Sequence, residues 1–305
     1  MKNTKPKVRL WSVLTGLTAI LTVAAIVGNI IANQYATTIN VALNASTYKI
    51  IHGENTGDTE YFKKGFASDE EREAYEAELC ATVEAEGAAL LKNENNALPL
   101  ASGAKVSLFG HGSVDLMYGG TGSGSVDTSK APNLKQALEA QGITINQTLW
   151  DLYSSDSMMS KYSRMTPASI SDTLEANTQY AVNEAPWSAL SSAESSFAEY
   201  GDAAIVVLSR SGGEGADLPS GENGTSDNWI SGQEGDGNYL ALSAEEIELL
   251  QNLKALKDNG TFKKIVVLIN SSNAIELDFL NPEICGEDYG IDAAMWIGDV
   301  GQTGI

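Results

Sequence analysis

Two short runs in the second half of the chain are apolar at nearly every position. Residues 203–208 read AAIVVL, and residues 264–269 read KIVVLI. A strand with one face in water alternates apolar and polar side chains, whereas a strand covered on both faces is apolar throughout. These runs therefore predict a mostly parallel sheet covered by helices on both faces, which is the α/β class.

The chain from residue 68 onward alternates strand and helix signals. A capping box of Ser68 and Glu71 predicts the start of one helix, and Ser243 with Glu246 predicts the start of another. The pattern also predicts strands at 88–91, 106–109, 143–145 and 293–297, and helices near 132–140 and at 147–159. We therefore assign residues 68–305 to an α/β domain.

The last residues of this domain form an incomplete pattern. Residues 295–305 read MWIGDVGQTGI, which predicts a strand followed by a glycine-rich turn. A covering helix is expected next, because an uncovered strand leaves apolar surface in water. The pattern predicts that the domain is truncated at this end.

The N-terminal region has the features of a membrane anchor. Residues 10–32 carry no charge, and four cations lie within residues 1–9. A helix of this length, at about 1.5 Å per residue, crosses a hydrocarbon core of about 30 Å. The cations before the apolar stretch predict that residues 1–9 are a cytoplasmic tail. Residues 10–32 would then be a single-pass anchor in the lipid of the cell membrane, and the rest of the chain would be extracytoplasmic. A cleaved signal peptide, with a shorter apolar region, is the alternative.

Residues 33–67 are predicted as an extended stalk with β-like alternation at 38–45.

Charge and cysteine content restrict the partners. The chain has 40 Asp and Glu against 19 Lys and Arg, a net charge of −21. A surface this acidic repels phosphate backbones, so no nucleic-acid partner is expected. Cys80 and Cys285 are far apart and form no zinc pattern with His52 and His111, so we predict no metal centre and no disulfide framework.

The strongest candidate for chemistry follows the run at 203–208. There SRSGGEGAD places Glu214 among three glycines beyond a buried strand. Ligands of open parallel sheets bind at the carboxyl ends of the strands, and burial in such a cleft raises the pKa of a carboxyl toward that of a general acid. A solvated acidic loop is the simpler interpretation on these grounds, and a calcium site without EF-hand spacing is a third.

A second glycine-rich segment, GGTGSG, lies at 119–124. It lacks the lysine of a phosphate-binding P-loop, and it does not follow its strand directly, as a dinucleotide fingerprint does. A nicotinamide-dependent oxidoreductase is therefore disfavoured. The segment is interpreted as a substrate-lining loop or as a flexible turn.

Six segments between residues 86 and 305 occur in a specific order. They read EGAALLKNENNALPL, KVSLFG, GGTGSG, VVLSRSGGEGAD, VVLINSSNAIEL and MWIGDVGQTGI. Together they resemble glycoside hydrolase family 3 of the β-glucosidase type. The resemblance implies the α/β sandwich domain of that family, placed first as in its subgroup with inverted domain order.

The resemblance also implies a mechanism. In that family an Asp nucleophile from a barrel and an acid/base Glu from the sandwich domain hydrolyse a β-glycosidic bond with retention. Glu214 matches the acid/base, and Arg210, Gly213, Asp217 and Trp229 on the same loop are expected to contact the sugar. No segment matches the barrel, so the chain alone is expected to be incomplete and inactive, and no cofactor is implied. The alternative is a non-catalytic carbohydrate-binding or scaffold module that contacts sugar through Glu214 and Trp229.

Overall fold

The computed structural model of the chain describes residues 5–43, 45, 64–120, 122–164, 180–213 and 239–303. The chain divides into two compact units, Met1–Gly65 and Phe66–Ile305, and each is described by itself.

The first unit contains a long helix, α1 (Lys5–Gln34), and a short one, α2 (Ala36–Ala42). The stretch Leu10–Gln34 of α1 has a mean hydropathy of 2.1, and none of it is buried against protein. Its threonine hydroxyls bond to backbone carbonyl oxygens four residues earlier in the same helix. A helix that satisfies its own polar groups in this way is able to cross a membrane, and a signal sequence has the same features.

The β-like alternation predicted from residue 38 is wrong where the structure describes that segment, because residues 36–42 are helical. A strand needs a neighbouring strand for its backbone hydrogen bonds, whereas a helix satisfies its own. Here the N–H of Ile39 bonds to the carbonyl oxygen of Tyr35, and the N–H of Leu43 bonds to that of Ile39, both at 2.9 Å. Most of the remaining predicted stalk, residues 46–63, lies outside the described residues.

The second unit, in the part that the structure describes, is built on one six-stranded sheet. The strands in chain order are β1 (Ala89–Asn93), β2 (Lys105–Phe109), β3 (Thr144–Ile145), β4 (Ala203–Arg210), β5 (Ile265–Ser271) and β6 (Ala293–Trp296). Their order across the sheet is β1-β6-β5-β4-β2-β3, and all neighbours are parallel except β1 and β6. The predicted mostly parallel sheet is confirmed, with one antiparallel edge strand.

The described helices of the second unit begin at side-chain caps. They are α3 (Asp69–Gly87), α4 (Leu134–Ala140), α5 (Gln147–Tyr153), α6 (Asp156–Tyr162), α7 (Ala244–Asp258) and α8 (Pro282–Cys285). At α7 the capping box of Ser243 and Glu246 is complete, as predicted. The single helix predicted over 147–159 is instead divided into α5 and α6. Its continuation is interrupted because the Ser155 hydroxyl accepts the N–H of Met158 and so begins a new helix.

Apolar side chains cover both faces of the sheet. All eight residues of β4 and six of the seven residues of β5 are buried. On one face Val206 and Val267 belong to a cluster that includes Leu250 of α7, and on the other Ile205 belongs to a cluster that includes Leu134 of α4. This two-sided core fixes the strands rigidly, so the loops at their carboxyl ends start from defined positions.

Candidate functional site

The loops at the carboxyl ends of the strands are joined by Asn270 of β5, which is fully buried. Its Oδ1 accepts the N–H of Met117 at 2.6 Å and the hydroxyl of Ser209 at 3.1 Å. Its Nδ2 donates to the carbonyl oxygens of Met117 at 3.0 Å and Gly298 at 2.7 Å. These four bonds use both amide hydrogens and both oxygen lone pairs. Asn270 therefore holds the loops after β2 and β6 against β4 and β5.

Arg210, the last residue of β4, is also fully buried. Its Nε donates to the carbonyl oxygen of Tyr239 at 2.7 Å, Nη1 to that of Ser209 at 3.0 Å and Nη2 to that of Ala241 at 2.6 Å. The other two N–H groups form a bidentate ion pair with Glu246, with Nη1–Oε1 at 2.8 Å and Nη2–Oε2 at 2.7 Å. All five guanidinium donors are engaged. The predicted contact of this side chain with a sugar does not fit that geometry.

Tyr239 lies at the returning end of the chain segment that leaves β4. Its hydroxyl accepts the N–H of Ser211 at 2.9 Å and donates to the carbonyl oxygen of Ser211 at 3.0 Å. The ring packs beside that of Tyr180, with centroids 5.6 Å apart. Burial raises the pKa of the Tyr239 hydroxyl, which keeps it a neutral donor. The two ends of the segment are therefore joined directly.

Three of the predicted site residues, Glu214, Asp217 and Trp229, lie outside the described residues, as does the calcium alternative. Gly213 is described, and it is exposed directly after the buried Ser211 and Gly212. Within the described ranges no three His, Cys, Asp or Glu side chains lie together as metal ligands do.

The glycine-rich segment at 119–124 packs closely against the start of the Glu214 segment. A Cβ on Gly120 would lie 3.1 Å from the carbonyl oxygen of Gly212. A Cβ on Gly212 would in turn lie 2.5 Å from Nδ2 of Asn273. A side chain at position 120 would push the two segments apart, and one at position 212 would displace the Asn273 side chain, so glycine permits both close approaches.

Among the buried polar atoms that lack a hydrogen-bond partner in the described structure, two lie in the loops that follow β5 and β6. They are Nδ2 of Asn273, two residues after β5, and Oδ1 of Asp299, three residues after β6. Burial raises the pKa of Asp299. Unpaired buried polar atoms are rare in folded proteins, and they favour a polar ligand at this edge.

A second cluster of ionisable groups follows β2. The backbone N–H of His111 donates to Oε2 of the buried Glu184 at 2.7 Å, and His111 Nε2 lies 3.2 Å from Oδ2 of Asp115. Burial raises the pKa of Glu184 to about 7, although its bonds from the N–H groups of His111 and Ala185 lower it. Burial also opposes ionisation of Asp115, but the hydrogen bond from His111 and the charge of Arg164 hold the pKa of Asp115 below its ordinary value.

The free energy of unfolding is expected to fall as the pH rises from about 4.5 to about 7 because of Glu184. Its pKa is higher in the folded state than its ordinary value of 4.5, so the folded state retains the proton more tightly. The contribution of Glu184 to the free energy of unfolding is fully present below its ordinary pKa of 4.5. It is lost as the pH rises through the folded-state pKa of about 7. A shift of this size is worth about 3 kcal/mol. Urea unfolding followed by fluorescence at several pH values measures the slope.

Glu184→Gln cannot titrate and should flatten that slope. The matched control is Glu199→Gln, because the Glu199 carboxylate is exposed and pairs with Lys105 at the surface. The control should keep the slope of the wild-type chain. An unchanged slope in Glu184→Gln would assign the titration to another carboxyl group.

Asn270, Tyr239 and Glu184 are among the residues of these clusters that the sequence analysis did not predict. A polar residue at the end of an apolar strand was the available signal for Asn270. Tyr239 and Glu184 lie in segments without periodicity, and no local signal marks them.

Comparison with known proteins shows what the chain resembles. Residues 88–304 match the family model described as glycosyl hydrolase family 3 C-terminal domain. The chain is 28% identical over 228 residues to a beta-glucosidase of Ruminococcus albus, covering 74% of this chain and 20% of that protein. It is 34% identical over 146 residues to beta-glucosidase A of Butyrivibrio fibrisolvens, covering 46% of this chain and 15% of that protein. The chain thus matches a fifth or less of the length of these relatives.

Solved structures share the fold. Beta-glucosidase 3B from Thermotoga neapolitana, in complex with glucose, superposes with a TM-score of 0.54 and 23% identity over 77% of this chain and 28% of that one. A beta-glucosidase from Paenibacillus barengoltzii gives a TM-score of 0.52 and 24% identity over 75% of this chain and 22% of that one. At these identities the likeness shows that the chains share a fold.

Proposed function

The chain belongs to glycosyl hydrolase family 3, and from that premise we propose that it supplies the acid/base carboxyl and one wall of the sugar site to a retaining β-glucosidase. The match of residues 88–304 to the family model carries the proposal. Further support comes from the place of Glu214, which follows the exposed Gly213 at the carboxyl end of a buried strand. Ligands of open parallel sheets bind at such ends.

In this proposal Glu214 works in both steps of the reaction. Its carboxyl group protonates the glycosidic oxygen while an Asp nucleophile from a second domain attacks the anomeric carbon and forms a glycosyl-enzyme intermediate. The carboxylate of Glu214 then removes a proton from the water that attacks the anomeric carbon of this intermediate and releases the Asp nucleophile. The nucleophile is assigned to a barrel domain outside this sequence, because no segment here resembles one and the matched regions cover only 20% and 15% of the two relatives.

A β-glucoside is the proposed substrate. The named relatives are beta-glucosidases, and the structure of one solved neighbour is in complex with glucose. The unpaired polar atoms of Asn273 and Asp299 offer a donor and an acceptor to sugar hydroxyls at the same edge. The same two atoms favour a second candidate function, a carbohydrate-binding module without catalysis.

The assembled enzyme, meaning this chain together with the barrel domain, is expected to hydrolyse methyl β-glucoside with retention. Proton NMR in the first minutes should show β-glucose as the product formed first, and this chain alone should release none. Release of α-glucose would contradict retention. Glucoside binding by the assembled protein without any hydrolysis would support the carbohydrate-binding module instead.

We also propose that α1 anchors the protein in the cell membrane, with the second unit outside. The length and hydropathy of Leu10–Gln34 and the cations before it support this topology. Alkaline carbonate extraction of bacterial membranes should leave the chain in the pellet, and protease added outside should digest the second unit. Recovery of a soluble chain shortened near residue 36 would indicate a cleaved signal peptide.

A double Leu17→Arg/Leu21→Arg variant is the control for the anchor. Each Arg at the centre of a span costs roughly 2.5–3.5 kcal/mol of insertion free energy, so the variant should leave the membrane pellet. A variant that stays in the pellet would show that something other than α1 holds the protein there.

A further inference from the structure

The chain segment between Gly213 and Tyr239 begins and ends at one buried polar cluster. On the outgoing side are Arg210 and Ser211, and on the returning side are Tyr239 and Ala241. Four hydrogen bonds cross between the two sides: two from the Arg210 guanidinium to carbonyl oxygens, and two between the Tyr239 hydroxyl and the backbone of Ser211. The spacing of the two ends is therefore set by side chains from both.

The cluster is also fixed to a helix. Besides its two bonds to Arg210, Glu246 accepts the backbone N–H of Ser243 at 2.8 Å in the capping box of α7. The Glu246 side chain is as buried as that of Arg210, with relative exposures of 2% and 0%. One carboxylate thus joins the end of β4 to the first turn of α7.

A buried ion pair is a costly way to gain stability alone. Removing two charges from water costs several kcal/mol per ion, and apolar side chains of similar volume often stabilise a core equally well or better. A bidentate ion pair differs from apolar packing because it fixes the orientation of both side chains. The planar guanidinium donates hydrogen bonds only along its five N–H bonds. The arrangement therefore suits a segment whose orientation matters.

We propose that Arg210, Glu246 and Tyr239 form a positioning clamp, which orients the backbone of residues 211–213 and thereby the side chain of Glu214. The proposal rests on the acid/base role of Glu214 proposed above. A proton donor must lie within hydrogen-bond reach of the glycosidic oxygen, and a displacement of about 1 Å can slow a reaction by about 100-fold. The clamp residues act through Glu214 and do not touch the sugar.

The test uses the assembled enzyme and a pair of substrates. Arg210→Met alone would leave Glu246 buried and unpaired, so the main variant is Arg210→Met/Glu246→Leu, which removes both charges. The kcat for methyl β-glucoside is expected to fall by about 10- to 100-fold. The glycosylation rate for 2,4-dinitrophenyl β-glucoside, which needs little protonation, should fall by less than about threefold. Tyr239→Phe keeps the ring and removes the hydroxyl. It should also slow hydrolysis of methyl β-glucoside more than that of 2,4-dinitrophenyl β-glucoside, but by a smaller factor.

The matched control is Lys257→Met, in the last turn of the same helix. It breaks the ion pair of Lys257 with Asp292, which joins Nζ and Oδ2 at 2.7 Å. This variant should lower thermal stability and leave the ratio of the two substrates unchanged. Equal losses on both substrates in the Arg210→Met/Glu246→Leu variant, or no loss on either, would overturn the positioning role.

Hydrogen exchange separates the clamp from the proposed function. In the purified full chain, the amides of residues 211–213 and 239–241 should exchange at least about tenfold faster in the double variant, while those of β5 keep their protection. Unchanged exchange at 211–213 would refute the clamp. If Glu214→Ala shows no dependence on the leaving group while exchange accelerates as expected, the clamp stands and the acid/base assignment fails.

Discussion

Glu214→Ala in the assembled enzyme is expected to slow hydrolysis of alkyl β-glucosides by about 10²- to 10⁴-fold, the range typical of general-acid catalysis. An alkoxide is a poor leaving group, so departure requires the proton that Glu214 donates. A dinitrophenolate leaves without a proton, and the glycosylation step of an aryl glucoside with that group should be affected much less. Steady-state rates on the alkyl substrate and burst kinetics on the aryl substrate measure the two effects.

The same Glu214→Ala variant also tests the proposed role of Glu214 as the general base in the second step of the reaction. Without Glu214, water cannot be deprotonated as it attacks the glycosyl-enzyme intermediate, so the intermediate should accumulate. Azide is already an anion and needs no base. Added azide should therefore restore turnover of the aryl glucoside and yield β-glucosyl azide, which retains the configuration of the substrate.

Asp217→Ala is the control from the same segment. Asp217 lies three residues after Glu214, and the family resemblance places the proton donor at the Glu between glycines. The control should show neither the dependence on the leaving group nor the rescue by azide. If Asp217→Ala shows the rescue in place of Glu214→Ala, the acid/base role belongs to Asp217.

The sequence predicted the sheet well because burial on both faces leaves a direct signature. The first six residues of β4 and the first five of β5 are all apolar in the sequence, and the structure buries all but one of them. Local sequence patterns predicted secondary structure less well where contacts or caps elsewhere in the chain decide between helix and strand. The alternation from residue 38 resembles a strand, but the described segment forms helix α2. Between α5 and α6 a serine cap outweighed the continuing helical pattern.

The structure changes the role expected of Arg210 in the candidate site, while Glu214, Asp217 and Trp229 lie outside the described residues. A cation next to a glycine-rich acidic loop suggests a ligand contact when the chain is read locally. The structure instead pairs Arg210 with Glu246, 36 residues away in sequence. The capping role of Glu246 was visible as a local spacing, but its second role depends on where β4 and α7 meet in the fold.

Asn270→Asp should be the most destabilising conservative change at the carboxyl edge of the sheet. The two side chains have almost the same shape, so packing is preserved and the hydrogen bonds alone are altered. The amide Nδ2, which donates to the carbonyl oxygens of Met117 and Gly298, becomes an oxygen facing two oxygens. One oxygen of the new carboxylate keeps the donors of Met117 and Ser209, but the other has none. Leaving a buried charge paired on one side only typically costs about 3–5 kcal/mol. Urea unfolding of the purified chain at pH 7 measures this loss.

The pH dependence of the same variant identifies the cause. Burial and the two facing carbonyl oxygens should raise the pKa of the introduced carboxyl, because both disfavour its charged form. Once protonated, the carboxyl is neutral and can donate one hydrogen bond, so the destabilisation should shrink as the pH falls toward about 5. Asn252→Asp is the matched control, because Asn252 is only partly buried on α7 and its amide donates an exposed hydrogen bond to the carbonyl oxygen of Glu248. Its effect should stay within about 0.5 kcal/mol at every pH. Equal unfolding midpoints for Asn270→Asp and the wild-type chain at pH 7 would show that Asn270 does not hold the loops of the site together.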